Sequence, residues 1–137
     1  IKKLPPYDVL ITAEAKGIPL VYEMARQLGD ERYLIARKAV KLYMKEPHSV
    51  EVHSITTAKK QTLFIDKADA DYMRGKRVVI VDDVISTGES LFAVEKLVKE
   101  SGGTVAARMA ILAEGDAKYR DDILYLEELP LFHPKAE

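Results

Sequence analysis

The sequence predicts an α/β fold: a mostly parallel central sheet with flanking helices and a small flexible flap. Three observations predict it. Short apolar runs that read as strands alternate with segments of helical periodicity, the pattern of βαβ units. The clearest runs, within Asp8-Val-Leu-Ile-Thr12 and Lys76-Arg-Val-Val-Ile-Val-Asp82, are continuous rather than alternating, as in strands buried on both faces. Between them lies a basic stretch with two strand-like segments around a turn, the shape of a hairpin arm.

The elements follow in order. After the first strand and Gly17, residues Ile18, Val21, Tyr22, Ala25 and Leu28 share one face of a helix over Ile18–Leu28. Pro19 suits its first turn and Gly29 its stop. Tyr33–Ala36 is a second strand. Val50–Thr57 and Thr62–Ile65 are two more, with Lys59-Lys60-Gln61 as the turn between them. After the Lys76–Asp82 strand, Leu91, Val94, Leu97 and Val98 form one stripe of a helix over Gly88–Ser101, which Gly102-Gly103 ends. Thr104–Leu112 is a buried strand and Ile123–Leu126 a short last one. No repeat, low-complexity tract or linker appears, so residues 1–137 read as a single domain.

Composition excludes several classes. The 21 Lys and Arg against 22 Asp and Glu leave a net charge of −1, unlike the strongly basic surfaces that bind nucleic-acid backbones. The absence of Cys removes disulfides, thiolate metal sites and a Cys nucleophile. No run approaches the ~18 apolar residues of a membrane span, and no signal-peptide pattern opens the chain. A cytoplasmic setting is expected. The chain opens Ile-Lys-Lys with a strand almost at once, as expected of a segment inside a longer gene product.

In parallel sheets ligands sit at the carboxyl ends of strands, here after Thr12, Ala36 and Val81. The informative stretch is Val78-Val-Ile-Val-Asp82-Asp83-Val-Ile-Ser86-Thr87-Gly88-Glu89-Ser90. A Gly-containing loop can turn its N–H groups toward one point, and the following helix adds its positive end, which together cradle an anion. Ser86, Thr87 and Ser90 add hydroxyl donors suited to a phosphate monoester. Asp82 and Asp83 would repel a phosphate placed on them and fit one sugar-length away, accepting hydrogen bonds from ribose hydroxyls. The other reading is a strand end with a solvated Asp pair and a Ser/Thr helix cap. This is not the P-loop pattern, since no Lys follows the Gly.

Residues Val79–Ser90 resemble the phosphoribosyl pyrophosphate signature of type I phosphoribosyltransferases, in which two acids precede a Thr-Gly phosphate loop. The resemblance implies that Asp82 and Asp83 bind the ribose hydroxyls and that Ser86, Thr87, Gly88, Glu89 and Ser90 bind the 5-phosphate. Glu14-Ala15-Lys16-Gly17 resembles the pyrophosphate loop of adenine phosphoribosyltransferases, usually Glu-Ala-Arg-Gly, with Lys16 in place of the Arg. A Lys holds pyrophosphate as a point charge, without the bidentate fork. Arg37-Lys38, with Lys41 beyond, resembles the segment that opens the mobile loop, and the resemblance implies that Glu14, Ala15, Lys16, Gly17, Arg37, Lys38 and Lys41 bind the pyrophosphate. Singly, Lys16 and Lys41 read equally as surface lysines. From Arg37 to Lys60 there are six bases and two acids, which leaves the rest of the chain five units negative. That suits a lid over a polyphosphate and equally a solvated hairpin.

The resemblance implies transfer of phosphoribose from phosphoribosyl pyrophosphate to a purine, adenine first, by a homodimer. Asp82, Asp83, Lys16 and Arg37 are then the catalytic set, and Mg²⁺ is held mainly through the substrate. Two departures stand out. The mobile loop reads His53-Ser-Ile-Thr56-Thr57, with Thr56 where adenine enzymes carry a Glu. That stretch is closer to xanthine phosphoribosyltransferases and purine-operon repressors. The family also has a longer segment before its first strand, part of a hood over the base, which these residues lack. Alternatives are a xanthine or hypoxanthine enzyme and a non-catalytic regulator that senses phosphoribosyl pyrophosphate. His48, His53 and His133 lack metal-ligand spacing, and Tyr43 and Tyr72 suit packing better than stacking on a base.

Overall fold

A computed structural model describes residues 4–38, 47–53, 60–85, 89–114 and 122–129. In chain order the elements are β1 Val9–Ala13, α1 Ile18–Leu28, β2 Tyr33–Ala36, β3 Pro47–His53, β4 Lys60–Asp66, α2 Lys67–Met73, β5 Arg77–Ile85, α3 Glu89–Glu100, β6 Thr104–Glu114 and β7 Leu124–Leu129. Among the described residues the main sheet has five strands in the order β2-β1-β5-β6-β7, all paired in parallel. β3 and β4 form a separate antiparallel hairpin. No helix among the described residues is long and apolar enough to cross a membrane.

The apolar runs bury both faces of the sheet, as their continuity predicts. Val9, Ile11, Val78 and Ile80 face α2, α3 and β4, whereas Leu10, Val79 and Val81 face α1. The α3 stripe of Leu91, Val94, Leu97 and Val98 is buried throughout. On α1, Val21, Met24 and Ala25 are buried, but Tyr22 is 57% exposed. Tyr22 sits at the edge of the stripe, where its ring meets Tyr33 edge-on at 6.3 Å. Gly29 caps α1 at φ 75°, the left-handed geometry that favours glycine, and Asp30 N–H closes the turn onto Ala25 O at 2.9 Å.

Several boundaries differ from the sequence reading. β5 runs to Ile85 rather than Asp82, because β6 also extends, to Glu114, and supplies ladder partners out to Ile85↔Ala113. Backbone pairing overrides the weak strand preference of Asp82 and Asp83. β3 begins at Pro47, and β4 takes in Lys60 and Gln61, which the sequence assigns to a turn. Residues 54–59, with the loop position Thr56, lie outside the described residues. Helix α2 has no counterpart in the sequence reading. Its seven residues are too few for a periodic signal, although Asp66 caps it by accepting Lys67 N–H at 3.0 Å.

Two ties fix the rest of the frame. At the base of the sheet, the Asp8 carboxylate accepts the Arg77 N–H at 2.7 Å and pairs with its guanidinium at 3.1 Å, joining β1 to β5. At the top, Arg37 and Phe64 exchange backbone hydrogen bonds of 2.8 and 2.6 Å, which bolts the hairpin to the end of β2. The hairpin is therefore also part of the core: Leu63 and Ile65 of β4 are buried beneath α3.

Candidate functional site

The chain leaves β1 through α1 toward β2 on one side, while β5 pairs on the other side of β1. Connections diverge between β1 and β5, and that is where a crevice opens at the carboxyl ends of a doubly wound sheet. A cleft of about 430 Å³ lies there. The loop after β1 lines it with Glu14, Ala15 and Lys16, the end of β5 with Asp82, Asp83 and Val84, and the segment after β2 with Lys38. Ala13, Leu63 and Ala93 complete the wall. Sequence reasoning missed these three, because Leu63 and Ala93 come from the hairpin and α3 and nothing local marks them.

The loop after β1 is short and tightly held. Its Glu14–Ala15 peptide is cis. Gly17 has an ordinary helical φ of −78°, so its role is spatial. A Cβ there would lie 2.1 Å from the Oγ1 of Thr12, a fully buried side chain. The glycine lets the start of α1 settle onto the end of β1 and so sets where Lys16 enters the cleft.

Asp82 and Asp83 are half-buried at the mouth of β5, and the Asp82 carboxylate accepts the Asp83 N–H at 2.8 Å. Burial, and then the neighbouring Asp83 carboxyl, push Asp82 up to about 7, against the opposing pull of the Asp83 N–H and, more weakly, of Lys38. Two crowded carboxyl groups facing a basic rim suit a ligand that brings hydroxyl donors to the acids and anionic oxygens to the lysines.

The other predicted residues are distributed as follows. Arg37 turns its guanidinium to Glu14 at 3.3 Å, while Lys38 is the member of that dipeptide lining the cleft. Glu14 also accepts the Lys38 N–H at 2.6 Å. Glu89 and Ser90 open α3, which starts just beyond the end of β5. Ser86, Thr87, Gly88 and Lys41 lie outside the described residues. Among the described residues no three His, Cys, Asp or Glu side chains gather as a metal-ligand set.

Residues 6–129 match the family described as "Phosphoribosyl transferase domain". The chain is 35% identical over 111 residues to a hypoxanthine/guanine phosphoribosyltransferase of Methanococcus voltae, covering 81% of this chain and 55% of that protein. It is 36% identical over 111 residues to the protein of that name in Methanococcus vannielii, covering 81% and 56%. The chain thus spans about half the length of the curated relatives it matches. Among solved structures, it resembles the adenine phosphoribosyltransferase of Thermoanaerobacter pseudethanolicus with a TM-score of 0.75 and 30% identity, covering 90% of this chain and 72% of that one. The Rhodothermus marinus adenine phosphoribosyltransferase, at 22% identity and a TM-score of 0.73, shares the fold and covers 93% of this chain and 71% of that one. The doubly wound sheet, the cleft at its switch point and the match over residues 6–129 establish that the chain belongs to the type I phosphoribosyltransferase family, in its purine branch.

Proposed function

We propose that the protein transfers the phosphoribosyl group of phosphoribosyl pyrophosphate to a purine base, a salvage reaction of the cytoplasm carried out by a homodimer. The observation that carries this is the convergence of three strand ends on one cleft: Asp82 and Asp83 from β5, Lys16 after β1 and Lys38 after β2. In the reaction the bond from ribose C1 to the pyrophosphate oxygen breaks and a bond from C1 to a ring nitrogen of the base forms. The pyrophosphate keeps the electron pair, and the proton of the base nitrogen passes to solvent.

The residues divide this work by charge. Asp82 and Asp83 accept hydrogen bonds from the ribose hydroxyls and offset positive charge that develops on the sugar. Lys16 and Lys38 face the departing pyrophosphate and stabilise its growing negative charge. Arg37, whose guanidinium pairs with Glu14, and Lys41 are assigned to the same group by resemblance. Ser86, Thr87, Gly88, Glu89 and Ser90 anchor the 5-phosphate, so binding away from C1 orients C1 itself. Mg²⁺ would be held mainly through the oxygens of the substrate, with the hard carboxylate oxygens of Asp82 and Asp83 lining the same cleft. When bound, Mg²⁺ supplies charge neutralisation of the pyrophosphate.

The relatives divide over the base. Those above 30% identity are named for hypoxanthine and guanine, and the Thermoanaerobacter structure for adenine. A pyrophosphate-release assay on the full-length protein tests both levels, using Mg²⁺ and phosphoribosyl pyrophosphate with adenine, hypoxanthine, guanine, xanthine or orotate offered singly. Release with a purine and not with orotate is expected, and the base that works names the enzyme. Binding of phosphoribosyl pyrophosphate without release for any base would replace the enzyme with a regulator that senses it.

A further inference from the structure

We propose that Glu14 is a positioning residue, a latch that holds the opening of the β2–β3 connection in place so that Lys38 faces the cleft. The proposal extends the phosphoribosyl-transfer reading and rests on it for the identity of the anion.

The latch has a main-chain half and a side-chain half. Glu14 N–H donates to the carbonyl of Ala36 at 2.9 Å. Its carboxylate then reaches past that bond to the next two residues. Oε1 accepts the Lys38 N–H at 2.6 Å and Oε2 meets the Arg37 guanidinium at 3.3 Å. The pair is well screened from water, with side-chain exposures of 15% for Glu14 and 23% for Arg37. Charge-assisted hydrogen bonds of this kind are strong and directional. The chain of contacts continues, since Arg37 also exchanges both its backbone bonds with Phe64 of β4. Glu14 thus connects the loop after β1, the end of β2 and the hairpin through one residue.

Chemistry separates this role from anion binding. A carboxylate in the wall of a cleft for polyphosphate repels its ligand unless its charge is spent elsewhere. Here both oxygens are engaged by a cation and an N–H of the adjoining strand end, so the charge orients groups that do attract the anion. The Lys38 main chain is fixed by the Glu14 bond, while Lys38 lines the cleft and its charge acts on Asp82 there.

The test compares full-length wild type with Glu14→Ala and Glu14→Gln. Inorganic pyrophosphate and a nucleoside 5′-monophosphate are titrated calorimetrically. KM and kcat are measured with phosphoribosyl pyrophosphate, and exchange of the Lys38 amide is followed by NMR. Loss of a charge-assisted bond predicts that Glu14→Ala weakens pyrophosphate binding and raises the KM for phosphoribosyl pyrophosphate about tenfold, with monophosphate binding within about twofold. The Lys38 amide loses protection in the same variant. Glu14→Gln keeps a carbonyl that accepts the Lys38 N–H and restores pyrophosphate affinity to within about threefold of wild type. Undiminished pyrophosphate affinity in Glu14→Ala would overturn the latch. So would equal losses for pyrophosphate and monophosphate, or a Gln variant as weak as the Ala variant. Wild-type protein that binds pyrophosphate but transfers nothing would sink the enzymatic reading, while the binding and exchange data still decide the latch. Wild type that binds neither pyrophosphate nor phosphoribosyl pyrophosphate would overturn both.

Discussion

Asp82 places two opposite pH dependences on one carboxyl group. Its value is lifted from the ordinary 3.8 to about 7 by burial and by Asp83. The folded protein therefore holds a proton that the unfolded chain has already released above about pH 4. The stability this gives is complete below the unfolded value and is lost as pH rises through about 7. Asn at this position has no charge to bury. Asp82→Asn is expected to melt higher than wild type at pH 8, by about 3 °C or more, and to show no such gain at pH 4. Thermal scans at the two pH values check this, and a variant that melts lower than wild type at pH 8 would contradict it. Ligand binding has the reverse sign, because a ribose hydroxyl donates best to an ionised carboxylate. Under the proposed function, affinity for phosphoribosyl pyrophosphate rises between pH 6 and pH 8 in the wild type, and Asp82→Asn flattens that rise. Titration calorimetry at both pH values reads it directly.

The element that governs the site is the turn from β1 into α1. It joins a strand buried from Val9 to Thr12 to a helix whose first residues sit close to the end of that strand. The sequence marks Gly17 as part of an anion loop. The structure adds that Thr12 leaves no room for any larger residue there. Gly17→Ala forces its Cβ onto the Thr12 hydroxyl, and overpacking of this kind costs about 1–3 kcal/mol. Replacing Thr12 by Ala removes the closest atom, so the double variant is expected to recover a large part of the loss. Denaturant midpoints of the single and double variants provide the check, and simple additivity would contradict direct contact as the cause. The hairpin teaches a related lesson. Its strands are legible in the sequence because their residues are β-branched and aromatic, but their ends are not. Lys60 and Gln61 read as a turn, and only the pairing with Val52 and His53 makes them strand.

For the molecule as a whole, the decisive feature is that α2, α3 and β4 share one apolar layer against the sheet, opposite α1. Leu97 of α3 is completely buried in that layer, away from the cleft lining. Leu97→Ala is expected to destabilise the fold by about 2–5 kcal/mol through the cavity it leaves. Chemical denaturation checks the magnitude. A loss below about 1 kcal/mol would mean that α3 is not packed as described.

What the sequence alone determined was whatever is written locally. Continuous apolar runs identified buried strands, the 3.6-residue stripe identified α3, and two acids after such a run marked the end of β5 that lines the cleft. The motifs also pointed to the family. Only the tertiary structure decided which loops meet. Strand order follows from packing between distant segments, and it brings residues 14–16, 38 and 82–84 to one cleft. It also decided that Glu14 faces Arg37 and Lys38 rather than solvent, and that Gly17 is glycine because of Thr12. The reason is physical. Periodicity reports how a segment meets water and core, whereas a contact between two loops depends on register and distance, which no single segment encodes.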